Sequence, residues 1–388
     1  MKSLSALVCI ALLALGCKKP FTPALDQSGN KRYLVVEGSI TGTDSTIIKL
    51  SKTKLIDTSK TALPETNAIV TIENDANDNI PLSEVKPGIY AAQPFNLDAA
   101  HNYRLRIKTS DSKEYVSDYV TVKNSPPIDS IGFAAQASVL QIYVNSHDDA
   151  NATRYYRWDY SETWQFHSQY SSSWTKSGAR KVEDQIYHCF ASDTSTSVTI
   201  ASTIKLGSDI LYHAPVTSID PASEKIETKY SILVKQFALS SDAYAFWQNL
   251  QKNTQKIGSV FDVLPSEAPT NYHCVTDPGE LVVGYLSVGN VSYKRIFITK
   301  DQLPPSYQTV YPTACELDTA FIVNPPKTLN EEFQTNQFLT HDALYEVVQG
   351  LYLPPPNPFG GPTALSYSTK LCVDCTIRGT TKAPLFWK

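Results

Sequence analysis

The chain has 388 residues and a formal net charge of −4 at pH 7, with a sequence pI near 6.0. It is long enough for two or three domains, each with a hydrophobic core of its own. Because phosphate binding needs clustered Lys and Arg and no basic stripe stands out, the charge pattern argues against a nucleic-acid partner. The 22 Tyr, 14 Phe and 5 Trp residues, with a single Met, suit pleated, half-buried surfaces and predict a mostly β protein.

The first residues have the pattern of a bacterial lipoprotein signal. Lys2 precedes an apolar run over residues 4–15, and Gly16 stands directly before Cys17. This pattern predicts a signal peptide over residues 1–16, cleavage before Cys17 and attachment of lipid to the Cys17 thiol. The apolar run is about a dozen residues, short of the roughly 20 that a transmembrane helix needs. The alternative is an ordinary signal peptide in which Cys17 is incidental.

A polar, proline-punctuated stretch over residues 17–32 predicts a tether. From residue 33 short apolar runs alternate with turn residues, which predicts a first domain over residues 33–125. Its expected strands are residues 33–37, 47–50, 68–72, 88–91, 103–107 and 115–122. Strands of this length and spacing are typical of a small sandwich, and we expect an Ig-like or transthyretin-like fold.

Pro126-Pro127 marks the domain boundary, because two successive prolines disfavour both helix and central strand. A larger β-rich sandwich is predicted over residues 126–388. Its expected strands are residues 130–133, 139–145, 155–174, 198–204, 229–237, 281–286 and 293–298. Apolar residues at helical spacing predict a helix that follows Ser240 and ends near Asn253, and Thr340 as a cap predicts a second over residues 342–348.

An aromatic stripe lies on one parity of the strand that begins at residue 155. Its members are Tyr156, Trp158, Tyr160, Trp164 and Phe166, opposite polar residues such as Arg157 and Asp159. Burial of one sheet face produces such a stripe, which favours core packing. The alternative is an exposed face on which Tyr156, Trp158, Tyr160 and Trp164 stack against a ligand.

Cysteines carry the most specific chemical signal of the predicted domains. Outside the reducing cytosol disulfides are the default for all five: Cys189, Cys274, Cys315, Cys372 and Cys375. Since five is odd, at most two bridges form within one chain and one thiol stays free or pairs elsewhere, with the connectivity left open.

Cys372 and Cys375 also have the spacing of a redox pair. Such a pair normally opens a helix, whereas residues 376–379 have the pattern of strand and turn, which favours a structural bridge. A zinc site built from this pair, Cys315 and a histidine is a further alternative, because thiolate and imidazole ligands suit tetrahedral Zn²⁺.

No catalytic motif is recognisable. The sequence contains no H-E-x-x-H helix, no G-x-S-x-G elbow and no G-x-x-x-x-G-K loop. The segments His147-Asp148-Asp149 and His341-Asp342, together with His273, would supply acid/base or metal groups only if the fold brought them together, and each is better explained as a loop or cap residue. We therefore name no catalytic residue, no metal ligand and no cofactor.

Several segments, taken in order, resemble one family. They are residues 35–38, 126–131, 236–239, 243–247 and 294–298, followed by the ending at 372–379 and 384–387. Together they resemble a family of Bacteroidota outer-membrane lipoproteins known as domain of unknown function 4249. The resemblance implies a frequent neighbouring gene for a TonB-dependent outer-membrane transporter. It supplies no activity and no catalytic residue.

The combined expectation is a protein that a lipid anchors to the outer membrane, at the cell surface or the periplasmic face. We expect a non-catalytic accessory or ligand-capturing partner of a TonB-dependent transporter in nutrient uptake, with a carbohydrate, a peptide or a metal complex as ligand. A β-sandwich suits this role because it presents loops from a rigid scaffold. The alternatives are a structural or adhesive surface lipoprotein without a small ligand, and an envelope hydrolase whose site is built from distant loops.

Overall fold

A computed structural model describes residues 32–53, 63–175, 178–255, 270–311, 315–321, 335, 344–354 and 361–387. The predicted signal peptide, Cys17 and all but the last residue of the predicted tether lie outside these residues. Within them the chain is mostly β, with sandwich-like sheets and two helices, which confirms the predicted fold class. No helix in the described part of the chain is long and apolar enough to cross a membrane.

The N-terminal part of the chain forms one large sheet that closes around a core. Its strands before the linker are β1 (Leu34–Ser39), β2 (Thr46–Lys52), β3 (Leu63–Pro64), β4 (Ile69–Asn74), β5 (Asn79–Lys86), β6 (Ile89–Ala92), β7 (Asn102–Lys108), β8 (Glu114–Ser117) and β9 (Val120–Thr121). One half of β5 pairs with β4 and the other half with β6. Val70 and Leu105 from one side of β5 and Leu34 and Ile48 from the other are buried in the same core. The sheet therefore folds over at β5, a polar strand that the apolar pattern did not predict.

Two further sheets enclose a second core. The strands between the linker and the long helix are β10 (Ile128–Gln136), β11 (Val139–His147), β12 (Tyr155–His167), β13 (Trp174–Thr175), β14 (Gly178–Ala179), β15 (His188–Thr194), β16 (Thr199–Ser202), β17 (Ile210–Ile219) and β18 (Lys229–Ala238). The helix Ser241–Gln255 follows, and later strands are β19 (Tyr272–Cys274), β20 (Val282–Gly284) and β21 (Ser292–Thr299). The sheet β10-β11-β17 and the sheet β15-β12-β18-β21 share one core, in which Ile142 from the first contacts the aromatic stripe of β12 from the second.

The segment that carries β19 and β20 returns to the first core. β19 pairs with β8, and β20 pairs in parallel with β1. Tyr272, Cys274 and Val282 are buried there among the residues of the first sandwich. The predicted domain boundary at Pro126-Pro127 puts these residues in the domain over 126–388, whereas the structure places them in the first sandwich. Alternating apolar residues predict which face of a strand is buried, but they do not predict which sheet edge the strand joins.

Gly289 lies where the returning segment passes the end of the first sandwich. Its N–H group donates to the Ile40 carbonyl oxygen at 3.0 Å, and a Cβ at this position would lie 1.7 Å from the Lys123 carbonyl oxygen. We expect Gly289→Ala to lower the free energy of unfolding by about 2–4 kcal/mol, because the backbone has to move apart. Urea unfolding measures the loss. The control is Gly207→Ala, where nothing lies within 4 Å of the added carbon; equal stability of both variants would contradict the close approach.

The long helix confirms the first helix prediction. It spans Ser241–Gln255, and Ser240 Oγ accepts a hydrogen bond from the Ala243 N–H group at 3.1 Å. This bond satisfies one of the free donors of the first helical turn, which is the role expected of a serine cap.

The second helix prediction, over residues 342–348, is wrong. Residues 345–351 form β23 (Tyr345–Leu351), which pairs with β24 (Ala364–Thr369), and β24 pairs in turn with β22 (Asp318–Phe321). A strand partner from later in the chain outweighs the weak local preference for a helix. The ending also differs from the strand and turn predicted over residues 376–379, because a 3₁₀ turn, Cys375–Ile377, stands in place of the strand. A short helix, Lys370–Val373, precedes it.

Candidate functional site

The aromatic stripe of β12 lies inside the protein. Tyr156, Trp158 and Phe166 are completely buried, and Trp164 is nearly so, in the core between the two sheets. Tyr160 is half-buried against the same core, and its hydroxyl lies 3.0 Å from Thr217 Oγ1. The ligand-stacking alternative therefore does not hold for Tyr156, Trp158 and Trp164, whose rings are covered by other core residues. Of the four candidates, Tyr160 borders the pocket described below.

Four of the five candidate cysteines form two disulfides, Cys189–Cys375 and Cys315–Cys372, and Cys274 is a free, buried thiol. The redox alternative does not hold, because the two cysteines of the C-x-x-C pair are bonded to different partners. The zinc alternative does not hold either, since Cys315 and Cys372 are bonded to each other and are not free thiolates. Both bridges fasten the C-terminal segment to earlier parts of the chain.

The histidines considered for acid/base chemistry belong to different sheets. His147 Nδ1, at the end of β11, lies 2.7 Å from Asp129 Oδ2, whereas His273 Nε2, on β19, lies 2.9 Å from Asp118 Oδ1. His341 and Asp342 lie outside the described residues. Across the described ranges, no group of three or more His, Cys, Asp or Glu side chains is placed to hold a metal ion.

The candidate site is a pocket of about 600 Å³ on the outer face of the sheet β15-β12-β18-β21, where the first sandwich meets that sheet. Its floor consists of residues of β12 and β18, and apart from Tyr160, which belongs to the aromatic stripe, their parity is opposite to that of the stripe. Its walls are the Asp44 loop of the first sandwich, the residues 194–198 after β15, Trp247 of the long helix and Tyr293 of β21. This volume lies within the range of small-molecule sites in proteins.

Strand pairing places the floor residues side by side. The opposed pairs are Arg157 with Phe237, Asp159 with Lys235, and Lys235 with Tyr293. Residues directly opposite one another on neighbouring strands share a sheet face. A cation, an anion and an aromatic ring therefore stand in one row across the sheet.

Local hydrogen bonds hold the two loop walls. In the first sandwich, the Thr41 N–H group donates to Thr46 Oγ1 at 2.9 Å, and Thr46 Oγ1 donates to the Thr41 carbonyl oxygen at 3.0 Å, which closes the turn that carries Asp44. On the other side Gln251 Nε2 of the long helix donates to the Val198 carbonyl oxygen at 2.8 Å. Both walls are thus tied to regular structure.

Arg157 is the most buried charge of the pocket. Its guanidinium carbon lies 4.1 Å from the ring centre of Phe237 and 4.3 Å from that of Trp247. Nη2 lies 3.0 Å from Asp159 Oδ2. Burial lowers the pKa of Arg157, and Asp159 only partly offsets this effect. Arg157 remains a cation at neutral pH, because a guanidinium is not deprotonated in proteins.

Asp44 links the first sandwich to the pocket floor. Its Oδ2 lies 2.9 Å from Lys235 Nζ and accepts a hydrogen bond from the Tyr293 hydroxyl at 2.9 Å. Burial alone would raise the pKa of Asp44, but the hydrogen bonds from Lys235 and Tyr293 lower it overall. The same burial and the Asp44 charge raise the pKa of Tyr293. The contact therefore favours an ionised Asp44.

The Asp44 contact is expected to contribute to stability in a pH-dependent way. Because the pKa of Asp44 is lower in the folded state than its ordinary value of 3.8, the contribution is present above that value and disappears as pH falls below it. Asp44→Asn is expected to cost roughly 0.5–1 kcal/mol at neutral pH, a small value because the side chain is 44% exposed.

Urea unfolding of wild type and Asp44→Asn, at neutral pH and at about pH 3, tests this linkage. The matched control is Asp149→Asn, whose carboxylate is 95% exposed. A cost for Asp44→Asn that is the same at both pH values would contradict the role of the ionised carboxylate.

The sequence pattern did not identify this pocket. Arg157 and Asp159 stood out only as the polar side of an amphipathic strand, and Trp247 as a packing residue of the helix. Asp44 and Lys235 are far apart in the sequence and carried no signal of their own. The one usable hint was the arginine within an aromatic-rich strand, since a buried arginine requires partners.

The chain matches a family model described as Domain of unknown function (DUF4249) over residues 18–295. No curated protein matches it. Among solved structures, a DUF3823 family protein from Bacteroides ovatus is similar at 11% sequence identity, over 54% of this chain and 91% of that chain, with a TM-score of 0.14. At that TM-score the likeness carries no argument about fold or function.

The fold and the pocket define a mostly β protein with two sandwich cores and a polar pocket where they meet. Because the family model covers more than half of the chain, the chain belongs to the DUF4249 family. The matched region ends within β21. The C-terminal motif at residues 372–387, which contributed most to the resemblance noted from the sequence, lies outside it.

Proposed function

We propose that this protein is a lipid-anchored outer-membrane lipoprotein that captures a small polar ligand for a TonB-dependent transporter. The pocket between the two cores is the observation that supports this proposal. It combines charged groups, aromatic rings and hydroxyls on a scaffold of paired strands, which suits the orientation of a small ligand. Lipid on Cys17 would keep this scaffold at the membrane beside the transporter.

The side chains of the pocket favour binding over catalysis. Asp159 is engaged by Arg157 and Asp44 by Lys235, so each carboxylate already has a cationic partner. A general base or nucleophile needs a free group within reach of the substrate and a second group that activates it. The residues that line this pocket include neither His nor Cys. Capture and release of a ligand require no more than the arrangement present.

A pull-down from native envelopes in mild detergent, with a C-terminal tag, tests the proposal. We expect a TonB-dependent barrel in near-stoichiometric amount with the wild-type chain. Cys17→Ala is the control and is expected to lose both the membrane fraction and the barrel, because it removes the lipidated thiol. Recovery of the lipoprotein alone, under conditions that preserve known barrel complexes, would refute the transporter role and leave the adhesive alternative.

A further inference from the structure

Among the described residues that line the pocket, the cations have unused hydrogen-bond donors, whereas the carboxylates are paired. Each of its three carboxylates has a cationic partner: Glu37 lies 2.8 Å from Lys49, Asp44 lies 2.9 Å from Lys235, and Asp159 lies 3.0 Å from Arg157. Asp44 also accepts from Tyr293. The unmet hydrogen-bonding capacity of the pocket is therefore on the side of the cations.

Arg157 has the largest unmet capacity. A guanidinium carries five N–H donors, and among the described residues Arg157 donates one hydrogen bond, to Asp159. Its Nε is buried and has no acceptor within the described part of the chain, and the same is true of Nε1 of Trp247, whose ring packs against the guanidinium. Only 8% of the Arg157 side chain is exposed, so solvent reaches little of it. Unmet donors on a buried cation cost free energy until an acceptor arrives.

Lys235, which lies opposite Asp159 on the neighbouring strand, adds a second cation to the floor. Its ammonium group carries three donors and donates one hydrogen bond to Asp44, while it lies 5.2 Å from the ring centre of Tyr293. Across the floor, residues 194–197, all Ser or Thr, contribute hydroxyl groups to the opposite wall. An acceptor-rich group at the floor would thus meet Arg157 and Lys235 together.

We propose that the pocket recognises the carboxylate group of a small ligand and that Arg157 is its principal partner. This inference rests on the proposed capture function and names the chemistry of the captured ligand. A planar carboxylate matches the fork of a guanidinium, and the flanking rings of Phe237 and Trp247 keep that fork in one orientation. The remaining volume accommodates the body of the ligand.

The charge balance favours a carboxylate over a phosphate. Glu37, Asp44 and Asp159 all line the pocket, against two cations, so a dianion would meet more repulsion than a singly charged carboxylate. A cationic ligand would instead need a free carboxylate, and each of the three is already paired. Two sources of a small carboxylate are the C-terminus of a peptide and a uronic acid.

Calorimetric titration of the full mature chain with matched probes separates these sources. One pair is an N-acetylated tripeptide with a free C-terminus and its C-terminal amide; the other is methyl glucuronoside and methyl glucoside. We expect the acidic member of at least one pair to bind, and its neutral counterpart to bind at least about 30-fold more weakly. The pair that responds identifies the source.

Two variants connect the binding to Arg157. Arg157→Gln is expected to weaken binding of the acidic probe by about 30-fold or more, because it removes the charge and the fork. Asp159→Asn is expected to tighten it several-fold, because it releases Nη2 and removes a repelling carboxylate. A gain in affinity cannot arise from misfolding, so this second variant keeps the test decisive. Arg295→Gln is the matched control. Arg295 lies on β21 of the same sheet and its guanidinium stacks on Phe386, but it is not among the residues that line the pocket. We therefore expect wild-type affinity for this variant.

Three results would overturn the inference. They are equal affinity for an acidic probe and its neutral counterpart, unchanged binding in Arg157→Gln, and no binding of any acidic probe at about 10 mM. The envelope pull-down distinguishes this failure from failure of the proposed function. If the transporter is recovered with a chain that does not bind the acidic probes, the carboxylate proposal is refuted. The proposed capture function is then not refuted.

Discussion

Replacing Cys189 and Cys375 together by alanine is expected to lower the free energy of unfolding by about 3–5 kcal/mol. The bridge joins residues 186 positions apart, so its loss releases a very long loop in the unfolded chain. Both cysteines are fully buried in the second core, and truncation to alanine adds the loss of packed sulfur.

Urea unfolding of oxidised protein measures this effect, and Cys274→Ala is the matched control. Cys274 is also buried, but it is a free thiol, so its replacement keeps both bridges and is expected to cost only about 1 kcal/mol. Peptide mapping without reduction should recover the pairs Cys189–Cys375 and Cys315–Cys372. A peptide in which Cys372 is bonded to Cys375 would contradict the structure and restore the redox alternative.

Trp158→Ala is expected to destabilise the protein by about 4 kcal/mol or more. The Trp158 ring is completely buried in the second core, and its Nε1 donates to Gln236 Oε1 at 2.9 Å. Nε2 of Gln236 donates in turn to the Pro126 carbonyl oxygen at 2.9 Å and to Ser146 Oγ at 3.0 Å. Loss of the indole therefore opens a cavity and leaves a buried acceptor unpaired next to the linker.

The control for Trp158 is Tyr212→Ala, which removes an aromatic ring that is 76% exposed and is expected to change stability by less than about 0.5 kcal/mol. Thermal and urea unfolding compare the two variants. If Trp158→Ala kept wild-type stability and instead abolished ligand binding, the ring would belong to a binding face and not to the core.

Local features of the chain were predictable where short-range physics decides them. The alternation of apolar and charged residues at 103–107 indicated a one-sided strand, and β7 (Asn102–Lys108) forms there with Tyr103, Leu105 and Ile107 buried. Ser240 indicated the start of the long helix, because its hydroxyl accepts a hydrogen bond from the Ala243 N–H group in the first helical turn. The odd number of cysteines indicated one unpaired thiol, and Cys274 is that thiol.

Long-range choices were not predictable in the same way. Residues 345–351 became a strand because β24 supplies a partner, although Thr340 as a cap had indicated a helix. Residues 272–284 joined the first sandwich because the free edges of β8 and β1 accept them. In each case the hydrogen bonds that determine the strand pairing come from another segment of the chain, and no local sequence pattern predicts them.

By itself the sequence determined the mostly β class, the parity of the aromatic stripe, the helix start and the number of possible bridges, because each depends on residue type and short-range spacing. Only the tertiary structure decided that Arg157, Lys235 and Asp44 share one pocket, and which cysteines are bonded. Pocket and bridges arise from strand register and from contacts between residues up to 249 positions apart, as in the pair of Tyr293 with Asp44. Such contacts are selected by the packing of the whole chain, which buries the stripe of β12 on one side and thereby turns its polar side toward the first sandwich.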